Sequence, residues 1–172
     1  MTTSAAEMEK RFTRLIELSF DVGADYAEVA RELEWLESCP LEHARPGFEY
    51  WYAGFKRVPS VHTMAQVDAI IEELLWSDSP HTCTNLHTVN IAMRCLMNAL
   101  MARFADIYCE GPHSDAQTAV KIAMGVDVSD EIGAAWRDHL TAAAARRGIA
   151  DVEAFVAKRE AEAVKRIEEG KK

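Results

Sequence analysis

Residues 79–110, SPHTCTNLHTVNIAMRCLMNALMARFADIYCE, have the pattern of one long helix with a wide apolar face. Ser79 and Pro80 suit the N-cap and the first position of a helix, and Gly111-Pro112 suits its end. Between them, apolar residues recur at helical spacing on a face broader than a coiled-coil seam, so neighbouring helices must cover it from at least two sides. These residues are Leu86, Val89, Met93, Leu96, Met97, Leu100, Met101, Phe104, Ile107 and Tyr108.

Working outward from this helix, the sequence predicts an all-α, single-domain bundle of seven to eight helices around a central buried helix at about residues 80–110. Apolar residues recur with a period near 3.6 on both sides of it, and no run alternates as a β-strand does. We expect a helical core at residues 1–150 and a charged C-terminal helix, extended or frayed, at 151–172. Helix starts are predicted at Ser4, Asp25, Ser60, Ser114, Ser129 and Asp151, and a helix end at Gly148.

The composition narrows the class of protein. The chain has 172 residues and a net charge of −9, which argues against direct binding to the phosphates of nucleic acids. Its four cysteines form no CxxC pair, which favours a reducing compartment. Neither an export signal nor an apolar run of membrane-spanning length is present, so we expect a cytoplasmic protein without a membrane partner.

The central helix also has a polar stripe, which is the first candidate site. Cys83 and the four residues of the stripe proper lie three or four positions apart, on one side of the helix. One interpretation is a network between helices, in which Arg94 pairs with Asp68, Glu72 or Asp106. The alternative is a pocket in which Arg94 binds an anionic group. The stripe consists of His87, Asn90, Arg94 and Asn98.

A second candidate site combines an acidic helix with an aromatic segment. The helix at residues 25–37 has carboxylates on what we expect to be its outer face, and they are Glu28, Glu32, Glu34 and Glu37. A short helix at about residues 47–57 follows, with Trp51 and Phe55 on one line and Tyr52 off it. Exposed Tyr and Trp beside basic residues are typical of protein interfaces, although a buried lid is the other interpretation. The aromatic residues are Tyr50, Trp51, Tyr52 and Phe55.

From these patterns we expect a non-enzymatic, acidic helical module that binds a protein partner or a second copy of itself. The partner is expected to be basic, and the module then acts as an inhibitor or regulator of a nucleic-acid-binding protein. The alternative is a small helical enzyme or ligand-binding protein whose pocket uses the polar stripe. No catalytic residue is assigned. His81, Cys83 and His87 come nearest to metal-ligand spacing, but we predict neither a metal nor a cofactor.

Overall fold

The all-α prediction is confirmed. A computed structural model describes residues 4–75, 87–110 and 130–170, and within these ranges it contains seven α-helices, two short 3₁₀ helices and no strand. The α-helices are α1 Ala5–Phe20, α2 Tyr26–Ser38, α3 Arg45–Arg57, α4 Met64–Leu75, α5 His87–Glu110, α6 Asp130–Arg146 and α7 Val152–Glu169. The helix starts predicted at Ser79, Ser114 and Ser129, and the helix end predicted at Gly111, lie outside the described residues. None of the described helices has the length and apolar character needed to span a membrane.

Two compact units divide the chain. Unit 1 comprises Met1–Val61 and Ile70–Leu100, and unit 2 comprises His62–Ala69 and Met101–Lys172. The helices α4 and α5 therefore each give residues to both units. The division predicted near residue 150 is not tested by these units and stays a prediction.

The broad apolar face of α5 is buried over most of its residues, but Met93, Met97 and Met101 are only half-buried. Val89, Leu96 and Leu100 are at most 2% exposed in unit 1, and Phe104 and Ile107 are at most 4% exposed in unit 2. The predicted Leu86 lies outside the described residues. Further residues of α5 are buried beyond those that the sequence predicted: Ile91, Ala92, Cys95, Ala105 and Cys109.

The start of α4 corrects one prediction. Ser60 was expected to cap this helix, but its hydroxyl donates backward to the carbonyl of Arg57 at 2.7 Å. The cap is Thr63, whose side-chain oxygen accepts from the amide of Gln66 at 3.3 Å. In return the side chain of Gln66 accepts from the amide of Thr63 at 3.1 Å, which completes a capping box. The motif Thr63-x-x-Gln66 was present in the sequence and identifies this start.

Predicted caps are confirmed at other helix ends. The amide of Glu7 donates to Ser4 Oγ at 3.2 Å, and the amide of Ala154 donates to Asp151 Oδ1 at 2.9 Å. Gly148 has a φ of +70°, which is the left-handed conformation that glycine adopts without steric cost. The amide of Ile149 donates to the carbonyl of Ala144 at 3.0 Å, which closes α6 before the short turn into α7.

The core of unit 1 is built around α3. Phe48 and Trp51 are 0% exposed and Phe55 is 1% exposed. The ring of Tyr26 in α2 stacks on Phe55 with centroids 4.5 Å apart, and its hydroxyl donates to the carbonyl of Phe55 at 2.9 Å. Gly54 allows close approach, since a Cβ at this position would lie 2.5 Å from a methyl carbon of Leu74.

In unit 2, aromatic rings and ion pairs join α5 to α6 and α7. Phe104 packs on Trp136 with ring centroids 4.6 Å apart, and Tyr108 packs on Phe155 at 6.1 Å. At the end of α6, Arg147 donates to Asp106 at 2.8 Å and to Glu110 at 2.9 Å, and Arg146 donates to Asp106 at 2.9 Å. Burial alone would raise the pKa of Asp106, but hydrogen bonds from these two arginines lower it.

His139 in α6 gives unit 2 a predicted pH dependence. It is 2% exposed, and burial lowers its pKa below the ordinary value of 6.5; Asp138 opposes the shift and Arg146 adds to it. The unfolded chain then takes up a proton that the folded chain does not, so the free energy of unfolding falls as pH decreases below about 6.5. We expect His139→Gln to weaken this dependence in urea titrations between about pH 8 and about pH 5.

The exposed His43 provides the control for this measurement. His43→Gln makes the same substitution at a position that is not buried, so it separates the effect of burying His139 from the effect of replacing a histidine. Equal slopes for the wild-type protein and His139→Gln would show that His139 does not cause the dependence.

Candidate functional site

The polar stripe of α5 lies along α1 in unit 1. The ring of His87 packs against Phe12 with centroids 5.5 Å apart, and Asn98 Nδ2 donates to the carbonyl of Asp21 at 2.8 Å. Between them, the guanidinium of Arg94 lies 4.7 Å from the ring centroid of Phe20. His87 and Arg94 are exposed, and Asn90 and Asn98 are half-buried. Three of the four residues are therefore engaged in the contact between α5 and α1.

The prediction that Arg94 pairs with a carboxylate is wrong for the carboxylates that the structure describes. Asp106 binds Arg146 and Arg147 instead, and Arg94 forms no ion pair with any described carboxylate. The side chain of Asp68 lies outside the described ones. Arg94 is exposed rather than buried, so the stacking on Phe20 satisfies one face of the guanidinium and water can reach its edges. Ligand binding by the stripe stays a prediction.

Phe20 is the residue of this region that the sequence analysis did not single out. Its side chain is 63% exposed. It is the last residue of α1, where the helix ends and the chain turns away. The aromatic residue and the arginine together have the composition of an interface contact.

Two of the four carboxylates predicted on the outer face of α2 face α1 instead. Glu32 accepts from Arg11 Nε at 2.8 Å, and its side chain is 18% exposed. Glu28 accepts from Arg14 at 2.7 Å. Because α1 and α2 are consecutive antiparallel helices, Arg11 and Arg14 of α1 lie opposite the two glutamates of α2. Glu28 and Glu32, which were predicted to bind a partner, instead form ion pairs within the chain.

Glu34 and Glu37 are the two predicted carboxylates of α2 that remain available to a partner. Glu34 is exposed and Glu37 is half-buried, and neither side chain forms an ion pair with a described cation. Burial raises the pKa of Tyr52, and the charges of Glu37 and Glu34 raise it further. The two carboxylates therefore lie close enough to this hydroxyl to influence its ionisation.

The aromatic segment is mostly core. Trp51 is 0%, Phe55 1% and Tyr52 6% exposed, so these three residues are corrected from partner-binding to buried. The predicted line through Trp51 and Phe55 does face inward. Tyr52 is covered as well, because Lys56 lies 4.3 Å above its ring centroid. Tyr50 is half-buried, and its hydroxyl donates to the carbonyl of Glu73 at 3.2 Å.

Cys95 is the most deeply buried cysteine in the described part of the chain. Burial raises the pKa of Cys95 to about 12, so this thiol stays protonated and is a poor nucleophile. Residues 4–75, 87–110 and 130–170 contain no group of three or more His, Cys, Asp or Glu side chains arranged to hold a metal ion. His81 and Cys83, the other members of the weak ligand pattern with His87, lie outside these ranges.

No known protein family, curated protein or solved structure matches this chain.

Proposed function

We propose that this chain is a non-enzymatic, acidic helical protein that binds a basic protein partner in the cytoplasm. One specific form is an inhibitor whose carboxylates occupy the nucleic-acid-binding surface of that partner. The observation that carries the proposal is a carboxylate held at an energetically costly backbone position, at Glu42.

Glu42 has a φ of 45° in the turn between α2 and α3. A residue with a Cβ pays about 1–2 kcal/mol in this left-handed region, where glycine pays little. The side chain is exposed, so packing does not explain the choice of glutamate. Residues held in sparsely populated backbone conformations cluster at active sites, ligand-binding sites and switch regions, where the strain is part of the function.

Glu42 lies in the chain four residues after Ser38, the last residue of α2. We use the term acidic edge for Glu34, Glu37 and Glu42. The last turn of α2 contains no basic residue, and the negative end of the helix dipole adds to the potential of these carboxylates. Arg45 donates to the backbone carbonyls of Cys39 at 3.1 Å and Glu37 at 3.4 Å and pairs with Glu49 at 3.5 Å, so it offsets part of this potential without an ion pair to the acidic edge. The carboxylates of the acidic edge repel one another, and a cationic partner would reduce this repulsion.

The cytoplasmic assignment rests on the cysteines. Cys39, Cys95 and Cys109 are free thiols. Unpaired thiols are usual in reducing compartments and uncommon in exported proteins, where the oxidising environment pairs them.

The acidic edge can be tested with two peptides of equal length, one alternating lysine and leucine along a helical face and one with glutamine in place of lysine. We expect the full-length protein to prefer the lysine peptide in isothermal titration calorimetry, with affinity falling as salt rises. Glu34→Gln combined with Glu37→Gln should weaken binding about tenfold. Glu42→Gly should weaken binding severalfold while raising the free energy of unfolding by about 1 kcal/mol.

Glu7→Gln combined with Glu9→Gln is the matched control, because it removes the same charge from exposed positions in the first half of α1. An equal loss of affinity in this control would assign the effect to net charge rather than to the acidic edge. No preference for the lysine peptide over the glutamine peptide would contradict the proposed function.

A further inference from the structure

The outward side of α7 in unit 2 has a regular apolar stripe. Ala154, Ala157, Ala161 and Val164 are exposed and follow one another at steps of three, four and three residues. These are the steps of the a and d positions in a heptad repeat, which place residues on one line of a helix. Val164 is 49% exposed, although a branched apolar side chain is normally covered.

Charged residues flank this stripe with opposite signs on its two sides. With Ala154 at position a, Glu153 and Glu160 occupy g positions, and Lys158 and Lys165 occupy e positions. Glu153, Lys158 and Glu160 form no ion pair with any described residue. Lys165 approaches Glu169 at 3.9 Å, but both side chains are more than 60% exposed, so this contact is weak.

Beside the stripe runs a groove between α6 and α7. Its volume is about 480 Å³, and its lining includes Trp136, Leu140 and Val156. Glu153 and Glu160 stand along the α7 side of the groove and Arg137 along the α6 side, so the row of carboxylates borders an apolar surface that has one cation on its far side. An occupant that matches this site has a row of cations spaced seven residues apart beside small apolar residues.

We propose that the occupant is the α7 helix of a second copy of this chain, packed parallel to the first. Lys158 and Lys165 are seven residues apart, as are Glu153 and Glu160, so the helix is complementary to itself. In a parallel pair a g residue meets the e residue of the following heptad on the other helix. Glu153 then faces the second copy's Lys158, and Glu160 faces the second copy's Lys165.

Charge selects the parallel orientation. An antiparallel pair opposes g with g and e with e, which sets glutamate against glutamate and lysine against lysine. A parallel pair is related by a twofold axis, so each ion pair occurs twice. Alanine at a and d lets the two helices approach closely, and the lysine stems lie over the apolar lining of the neighbouring groove.

The pairing surface is short, so the dimer is concentration-dependent rather than permanent. Its residues belong to unit 2, whereas the acidic edge belongs to unit 1. The two proposals therefore rest on different side chains and fail independently.

Sedimentation equilibrium of the full-length protein, from about 10 to about 500 µM, tests the pairing through two charge variants. Lys158→Glu with Lys165→Glu makes both flanks acidic, and Glu153→Lys with Glu160→Lys makes both basic. We expect the wild-type protein to dimerise and each variant alone to dimerise at least about tenfold more weakly. An equimolar mixture of the two variants should recover the dimer, because opposite charges face each other again.

All four positions are exposed, so circular dichroism should show unchanged helix content and confirm that the variants fold. The variant Ala154→Cys tests the orientation. Under mild oxidation it should form an intermolecular disulfide that the wild-type protein does not form. The reason is that only a parallel pair brings position 154 next to its copy. A wild-type monomer throughout the concentration range overturns the proposal. So does a dimer that both charge variants leave unchanged, which would place the contact on another face. A monomer whose native mass includes an additional molecule would assign the groove to that ligand instead.

Discussion

Trp51→Ala is expected to lower the free energy of unfolding by about 3–5 kcal/mol. Trp51 is 0% exposed at the centre of α3, and the ring of Tyr50 packs edge-on against it with centroids 5.1 Å apart. The substitution removes the largest buried side chain of the unit 1 core and leaves a cavity that the surrounding helices fill only in part. Urea denaturation followed by circular dichroism measures the loss.

Tyr50→Phe is the neighbouring control, because it removes a hydroxyl from a half-buried ring and keeps the ring in place. It should cost about 0.5–1.5 kcal/mol, the usual value of a single hydrogen bond. If Trp51→Ala kept the stability of the wild-type protein and abolished binding of the lysine peptide, Trp51 would be an interface residue and its position in the core would be wrong.

Gly54→Ala is expected to destabilise the protein by about 1–3 kcal/mol, although alanine is the better helix former. The added Cβ would lie 2.5 Å from Leu74 Cδ1 and 3.0 Å from Leu96 Cδ2. Both leucines are buried, at 4% and 0% exposed, so neither side chain can move away without displacing others. Chemical denaturation measures the sign, which is opposite to the sign that helix propensity predicts.

A double-mutant cycle shows whether this loss arises from the contact with Leu74. Leu74→Ala alone should cost about 2–5 kcal/mol, and adding Gly54→Ala should then cost much less, because the new methyl group enters the space that leucine left. Ala53→Gly, at an exposed position of the same helix, controls for propensity and should cost about 0.5–1 kcal/mol. Additive effects of the two core substitutions would show that Gly54 is not needed for close packing.

The helices could be predicted because each has its own local signals. The apolar period of α5 predicted its buried side, and Ser4, Asp151 and Gly148 predicted helix ends that the structure confirms. Ser60 and Thr63 both have a hydroxyl and precede the apolar run of α4, so a hydroxyl alone does not locate the cap. The partner of the cap distinguishes them, since Gln66 lies three residues after Thr63.

The candidate sites were harder to predict, because exposure depends on how the helices pack. Glu28 and Glu32 lie on one side of α2, but the sequence of α2 alone does not show that this side faces Arg11 and Arg14 of α1. A signal was available, because two helices joined by a short turn run antiparallel and pair Arg11 with Glu32 and Arg14 with Glu28. The exposure of Phe20 had a signal of its own, since it follows the buried Leu15 by five residues and the buried Leu18 by two, which are not spacings of one helix face.

The division of α4 and α5 between two units bears on how the protein folds during its synthesis. The residues of unit 1 have all been made once Leu100 has been added. The segment His62–Ala69 belongs to unit 2, yet it is made before Ile70–Leu100 of unit 1. Its own unit cannot form until residues 101–172 have been made. Newly made chains therefore pass through a stage in which residues 70–75 of α4 can pack in unit 1 while residues 64–69 have no unit to pack in. When the ribosome pauses shortly after Leu100, we expect a protease to cleave within His62–Ala69.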